Sequence, residues 1–227
     1  MFLGKIKASL IPLVSFVAGV GSIIVCYILS QIYHHEKPFP DTWISATADH
    51  YPEFVVFRVG TIAGAVFMTL SHFIVYYWVM TVGYEKVFNI GKHKPEIGTV
   101  MGIAGCLFLM GSTSTLDTGK HNTNWHVFCA VDAFGWQIFS SWYHTYICWV
   151  LYKNTKAISF GTTITKMILS LAMLIQVYAD LKYSSGSKRL GNILEYTLAF
   201  SVFAFYLLMV IDLRDFKLSY KQKISPK

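Results

Sequence analysis

The stretch FVVFRVGTIAGAVFMTLSHFIVYYWVMTV, residues 54–82, runs for 29 positions with a single formal charge, Arg58. About 20 apolar residues cross a 30 Å hydrocarbon core as a helix. A strand of that length without sustained alternation fits no membrane barrel, and in lipid the backbone must satisfy its own hydrogen bonds. The stretch therefore predicts a transmembrane helix. Five more runs of the same kind flank it: Ala8–Ile32, Ile97–Leu116, Trp125–Tyr152, Phe160–Leu181 and Leu190–Leu213. The reading is all-α, a single bundle of six transmembrane helices spanning residues 1–227. The longest connection, Tyr33–Glu53, is too short to fold alone.

The composition agrees, with 54% hydrophobic and only 14% charged residues. The net charge of +7 does not point to nucleic acid, because the basic residues are divided among loops. With the N-terminus in the cytosol, 13 of the 19 Lys and Arg fall on the cytosolic side, Lys166 among them. That bias predicts two cytosolic termini and a luminal 33–53 connection. Lys182, Lys188 and Arg189 run against it. The first run, behind Lys5 and Lys7, exceeds a usual signal-peptide core and reads as a retained helix. Cys26, Cys106, Cys129 and Cys148 all fall inside spans, and no CxxC, HExxH, Walker or GxSxG pattern occurs. Neither a metal nor a cofactor is indicated.

Ionisable residues inside a bilayer are costly and mark function or packing. Here they gather at the luminal ends of the spans: Arg58 in span 2, His126 and Asp132 in span 4, Asp180 in span 5 and Glu195 in span 6, with Asp117 and His121 in the short connection before span 4. Asp41, Asp49, His50 and Glu53 join them from the long loop. One reading is structural: Arg58 pairs with Glu195 or Asp180 and fixes the helices, while Asp180 snorkels to water. The other is a luminal pocket for a lipid headgroup, in which Arg58 holds phosphate and His126, with Asp132 or Asp117, acts as general base; His50 is the second candidate base. His126, Ala130, Ala133, Gln137, Ser140, Ser141 and His144 share one face of span 4, the pattern of a helix–helix seam. Gly98, Gly102 and Gly105 give span 3 a complementary small face. His72 and His144 read as hydrogen-bonded packing residues, and His34 and His35 as interfacial.

The loop stretch WISATADHYPE, residues 43–53, resembles the first luminal loop of the GPI-lipid-remodelling (post-GPI-attachment) factors. Ser45, Ala46, Tyr51, Pro52, Glu53 and Arg58 occupy the places of their motif. Leu194-Glu195-Tyr196 is similar to the opening of their last span. His126-x-x-x-Ala130-x-x-x-Phe134-Gly135 resembles the fourth span of the damage-regulated autophagy modulators, relatives in the same six-span superfamily. This chain departs from the animal factors in lacking a cysteine in the first loop. The resemblance implies fatty-acid reacylation of GPI-anchor lipid in Golgi or endoplasmic reticulum membranes, as an acyltransferase or its accessory. Its partners would be membrane lipids, with GPI-anchored proteins or other membrane subunits. The alternative within the superfamily is a non-enzymatic regulator of autophagy or phosphoinositide signalling in the lysosome or plasma membrane, or an accessory subunit of a membrane complex.

Overall fold

A computed structural model describes residues 6–83, 87, 94–115, 123–183 and 186–218. Within them lie six α-helices: α1 Leu10–Ile32, α2 Glu53–Gly83, α3 Glu96–Ser114, α4 Thr123–Thr155, α5 Phe160–Tyr183 and α6 Lys188–Asp212. Each matches an expected span to within three residues at either end. Five are long and apolar enough to cross a membrane by hydropathy. The other, α4, has the length, at 33 residues, but its inward face is polar.

Each helix packs on its neighbours in sequence, and α1 closes the ring against α6. The distribution of side chains is that of a bundle in lipid. Val17, Val59, Val100, Val131, Ile168 and Ile175 point outward, each more than half exposed. Ser15, Ser22, Ser71, Gln137, Ser140, Ser141 and Ser170 are buried inside. Where water supplies no hydrophobic drive between helices, small and hydroxylated residues give close approach and interhelical hydrogen bonds. Thus Ser15 Oγ donates to the Gly64 carbonyl at 3.2 Å, joining α1 to α2, and Ser140 Oγ to the Gly98 carbonyl at 2.7 Å, joining α4 to α3.

Two short strands, β1 (Ile6–Lys7) and β2 (Lys217–Leu218), pair antiparallel with Lys7 opposite Lys217. The Ala8 N–H extends the pairing to the Phe216 carbonyl at 3.1 Å. This ribbon puts the two ends of the chain at one end of the bundle, hereafter the terminal end. The 33–52 connection covers the opposite, loop end. There Arg189 grips Asp41 through two bonds of 2.6 and 3.1 Å, Asn192 Nδ2 donates to the Pro40 carbonyl at 2.8 Å, and the Ile44 N–H donates to Glu195 Oε2 at 3.1 Å. All three partners stand in the first turns of α6, so that helix start is the dock of the loop.

Candidate functional site

Under the docked loop lies a cavity of about 80 Å³ between α1, α2, α3, α4 and α6. Its walls are apolar: Ile23, Phe57, Met68, Leu109, Ala130, Ala133, Phe134, Ala199, Val202 and Phe203. Polar side chains stand mainly toward the loop end: Ser45, Ser112, His126 and Glu195. From Phe57 to Met68 the cavity follows α2 for eleven residues, about 16 Å at 1.5 Å per residue. A long, narrow apolar slot with a polar mouth has the shape of a binding site for a fatty chain.

His126 Nδ1 is 2.9 Å from the Ser112 carbonyl and 3.2 Å from Ser112 Oγ. A carbonyl only accepts, so Nδ1 carries a proton and donates to it. Asp132 lies off the lining stripe of α4, which runs through His126, Ala130, Ala133 and Gln137 at helical spacing. Arg58 stands one position past the lining Phe57, its guanidinium 5.3 Å from the Phe54 ring centroid. The Asp180 side chain, Asp117 and His121 lie outside the described residues.

The loop motif divides. Ser45 lines the cavity, while Tyr51 is 75% exposed and Pro52 follows a cis peptide bond. Glu53 opens α2 and is fully buried. Its Oε1 lies 2.7 Å from His35 Nδ1, and its carbonyl accepts the Cys26 S–H at 3.1 Å. His50 is exposed, its ring 4.6 Å from that of His35. In the same loop, burial and the neighbouring Glu36 push the Asp49 carboxyl above its ordinary range, against the pull of His50 and His126. The structure thus separates the candidate bases: His126 belongs to the cavity, and His50 to a cluster with His35 and Glu53.

Below the cavity a polar seam crosses the core. His72 Nε2 meets Tyr206 Oη at 2.6 Å, Tyr206 Oη donates to Gln137 Oε1 at 2.8 Å, and Gln137 Nε2 donates to the Gly102 carbonyl at 2.9 Å. Gly102 is required here, since a Cβ would stand 2.0 Å from the His72 ring. The expected packing role of His72 is thereby given partners.

At the terminal end, sequence reasoning missed a buried ionic cluster. Lys166, counted with the cytosolic-side charges although it falls within the fifth apolar run, is 0% exposed. Its ammonium forms a close ion pair with Asp212 and reaches His144 Nε2 at 3.1 Å and Cys148 Sγ at 3.3 Å. Three N–H donors meet three acceptors, so the ammonium fills the centre of a His–Cys–Asp group whose geometry otherwise suits a metal. The residues come from α4, α5 and α6, and nothing in local spacing announces that these helices converge.

The model of the family described as Frag1/DRAM/Sfk1/Cwh43P N-terminal domain matches residues 7–216, and the chain belongs to that family. No curated protein and no solved structure matches it.

Proposed function

On the premise of that membership, we propose that the protein is a lipid-remodelling factor of the secretory pathway that restores the second fatty chain of GPI anchors. The observation that supports this most directly is the apolar slot beneath the 33–52 loop. It is apolar along its length, and its loop end carries Ser45, His126 and Glu195. In this reading the loop end is luminal, the loop that docks on α6 through Asp41, Pro40 and Ile44 admits the chain, and the protein resides in Golgi or endoplasmic reticulum membranes. GPI-anchored proteins are then its transient partners, each presenting its anchor lipid. Deleting the protein and determining the anchor lipids by mass spectrometry tests the role: anchors with a single chain and reduced surface display are expected, and unchanged anchors overturn it.

A second reading, a non-enzymatic regulator of autophagy or phosphoinositide signalling or a subunit of a larger complex, draws on the close α3–α4 seam at Gly98 and Gly102. Lysosomal or plasma-membrane residence of the tagged protein would favour it.

A further inference from the structure

His35 owes its position to the way α1 ends. Tyr33 caps the helix, and His34 adopts φ 55°, the left-handed conformation usually given to glycine. The His35 N–H then bonds back to the Ser30 carbonyl at 3.0 Å and the His34 N–H to the Gln31 carbonyl at 3.3 Å, the paired bonds of a Schellman motif. This turn sends the His35 ring toward the start of α2. There Glu53 Oε1 lies 2.7 Å from Nδ1, while the other oxygen of this fully buried carboxylate has no hydrogen-bond partner among the described residues. The ring is held between Tyr33, at 5.6 Å and 21°, and His50, at 4.6 Å. Its side chain is 29% exposed, so the ring is not sealed in the bundle.

A carboxylate that accepts from Nδ1–H fixes the tautomer, leaves the Nε2 lone pair outward and stabilises the imidazolium that forms when Nε2 takes a proton. His126, by contrast, is oriented by a neutral carbonyl. Glu53 stands one turn, about 6 Å along the axis, before the lining Phe57 on α2, so the dyad neighbours the loop end of the slot without lining it. A chain lying in the slot would bring its carboxyl end to that level.

We propose that His35, positioned by Glu53, is the general base of an acyl transfer at the mouth of the slot, an inference that rests on the lipid-remodelling role above. His35 Nε2 takes the proton of the free glycerol hydroxyl of a one-chain lipid. That oxygen bonds to the carbonyl carbon of a long-chain acyl ester or thioester, the donor's C–O or C–S bond breaks, and the imidazolium returns the proton to the leaving oxygen or sulfur. Glu53 acts through His35 and is a positioning residue.

The test uses the full-length protein in liposomes, with one-chain alkyl phosphatidylinositol as acceptor and palmitoyl coenzyme A or dipalmitoyl phosphatidylcholine as donor. A general base contributes on the order of 100-fold or more, so His35→Gln should lower kcat at least about 100-fold with KM within about twofold. Glu53→Gln keeps an acceptor for Nδ1–H but loses the charge, and should lower kcat by about tenfold or more. Each variant is first shown to melt within a few degrees of wild type; where Glu53→Gln fails this, Glu53→Asp replaces it. In cells lacking the native gene, folded His35→Gln should leave the anchors with one chain. A folded His35→Gln protein that turns over within threefold of wild type overturns the proposal and leaves the cellular role standing. No transfer by wild type with either donor also overturns it. Unchanged anchors after deletion overturn the role and the base together.

Discussion

Replacing Lys166 by methionine keeps most of the stem volume and removes the ammonium. Asp212, whose side chain is 1% exposed, then loses its ion-pair partner, and Oδ1 already has no hydrogen-bond partner among the described residues. His144 Nε2 and Cys148 Sγ lose a donor at 3.1 and 3.3 Å. Breaking a buried pair from one side costs about 3–5 kcal/mol, which at roughly 2–4 °C per kcal/mol for a chain of this size lowers the melting temperature by about 6–20 °C. Lys166→Met with Asp212→Leu leaves no orphan charge and should recover at least about 2 kcal/mol of the summed single losses. The four cysteines, all buried and free, supply the assay, because a thiol-reactive fluorophore labels them only as the bundle opens. A loss below about 3 °C in both single variants, or strictly additive losses in the double, refutes the argument that the cluster is one coupled unit.

Gly102→Ala sets a methyl 2.0 Å from the His72 ring and should cost about 1–3 kcal/mol through displacement of the His72–Tyr206 bond, read by the same thiol-labelling melt. His34→Gly relieves a left-handed histidine at φ 55° and should raise stability by about 1 kcal/mol, since a non-glycine residue there costs about 1–2. Loop docking should depend on acid. Hydrogen bonding to Arg189 holds the Asp41 carboxyl below its ordinary range, so its contribution is present in full above about pH 4 and is lost as the pH falls through the lowered value. Trp43 fluorescence and proteolysis of the loop read the release, and Asp41→Asn should free the loop at neutral pH.

Periodicity and hydropathy carry information along one helix at a time, and the agreement between expectation and structure follows that boundary. The six spans were legible because each apolar run is bounded by its own charges. The shared face of α4 was legible at helical spacing, though as a helix–helix seam; the structure makes its His126, Ala130, Ala133 and Gln137 part of a cavity wall. What escaped was made by turns and by convergence. His35 reads as interfacial until the left-handed His34 is known to turn it back onto Glu53. A glycine after Ile32 would have announced that turn, and the sequence has none. Lys166 reads as one more cytosolic-side charge because it lies only six residues into α5 from that end, and Asp212 as the end of a span. Only the approach of those helix ends, with His144, makes them one buried centre. Glu53 and Glu195 stand out as charges at the loop end of the spans, but their partners, His35 and the Ile44 N–H, came from the fold.

The pairing of Lys7 with Lys217 makes the molecule sensitive to parity. The strand at the beginning of the chain is synthesised long before its mate and waits through every crossing. An even number of crossings returns the chain to the side where that first strand waits. Should one helix fail to insert, the last strand emerges across a hydrocarbon layer of about 30 Å and the ribbon cannot close. Two residues of sheet therefore act as a parity check on topology, failed by any chain that loses a single passage.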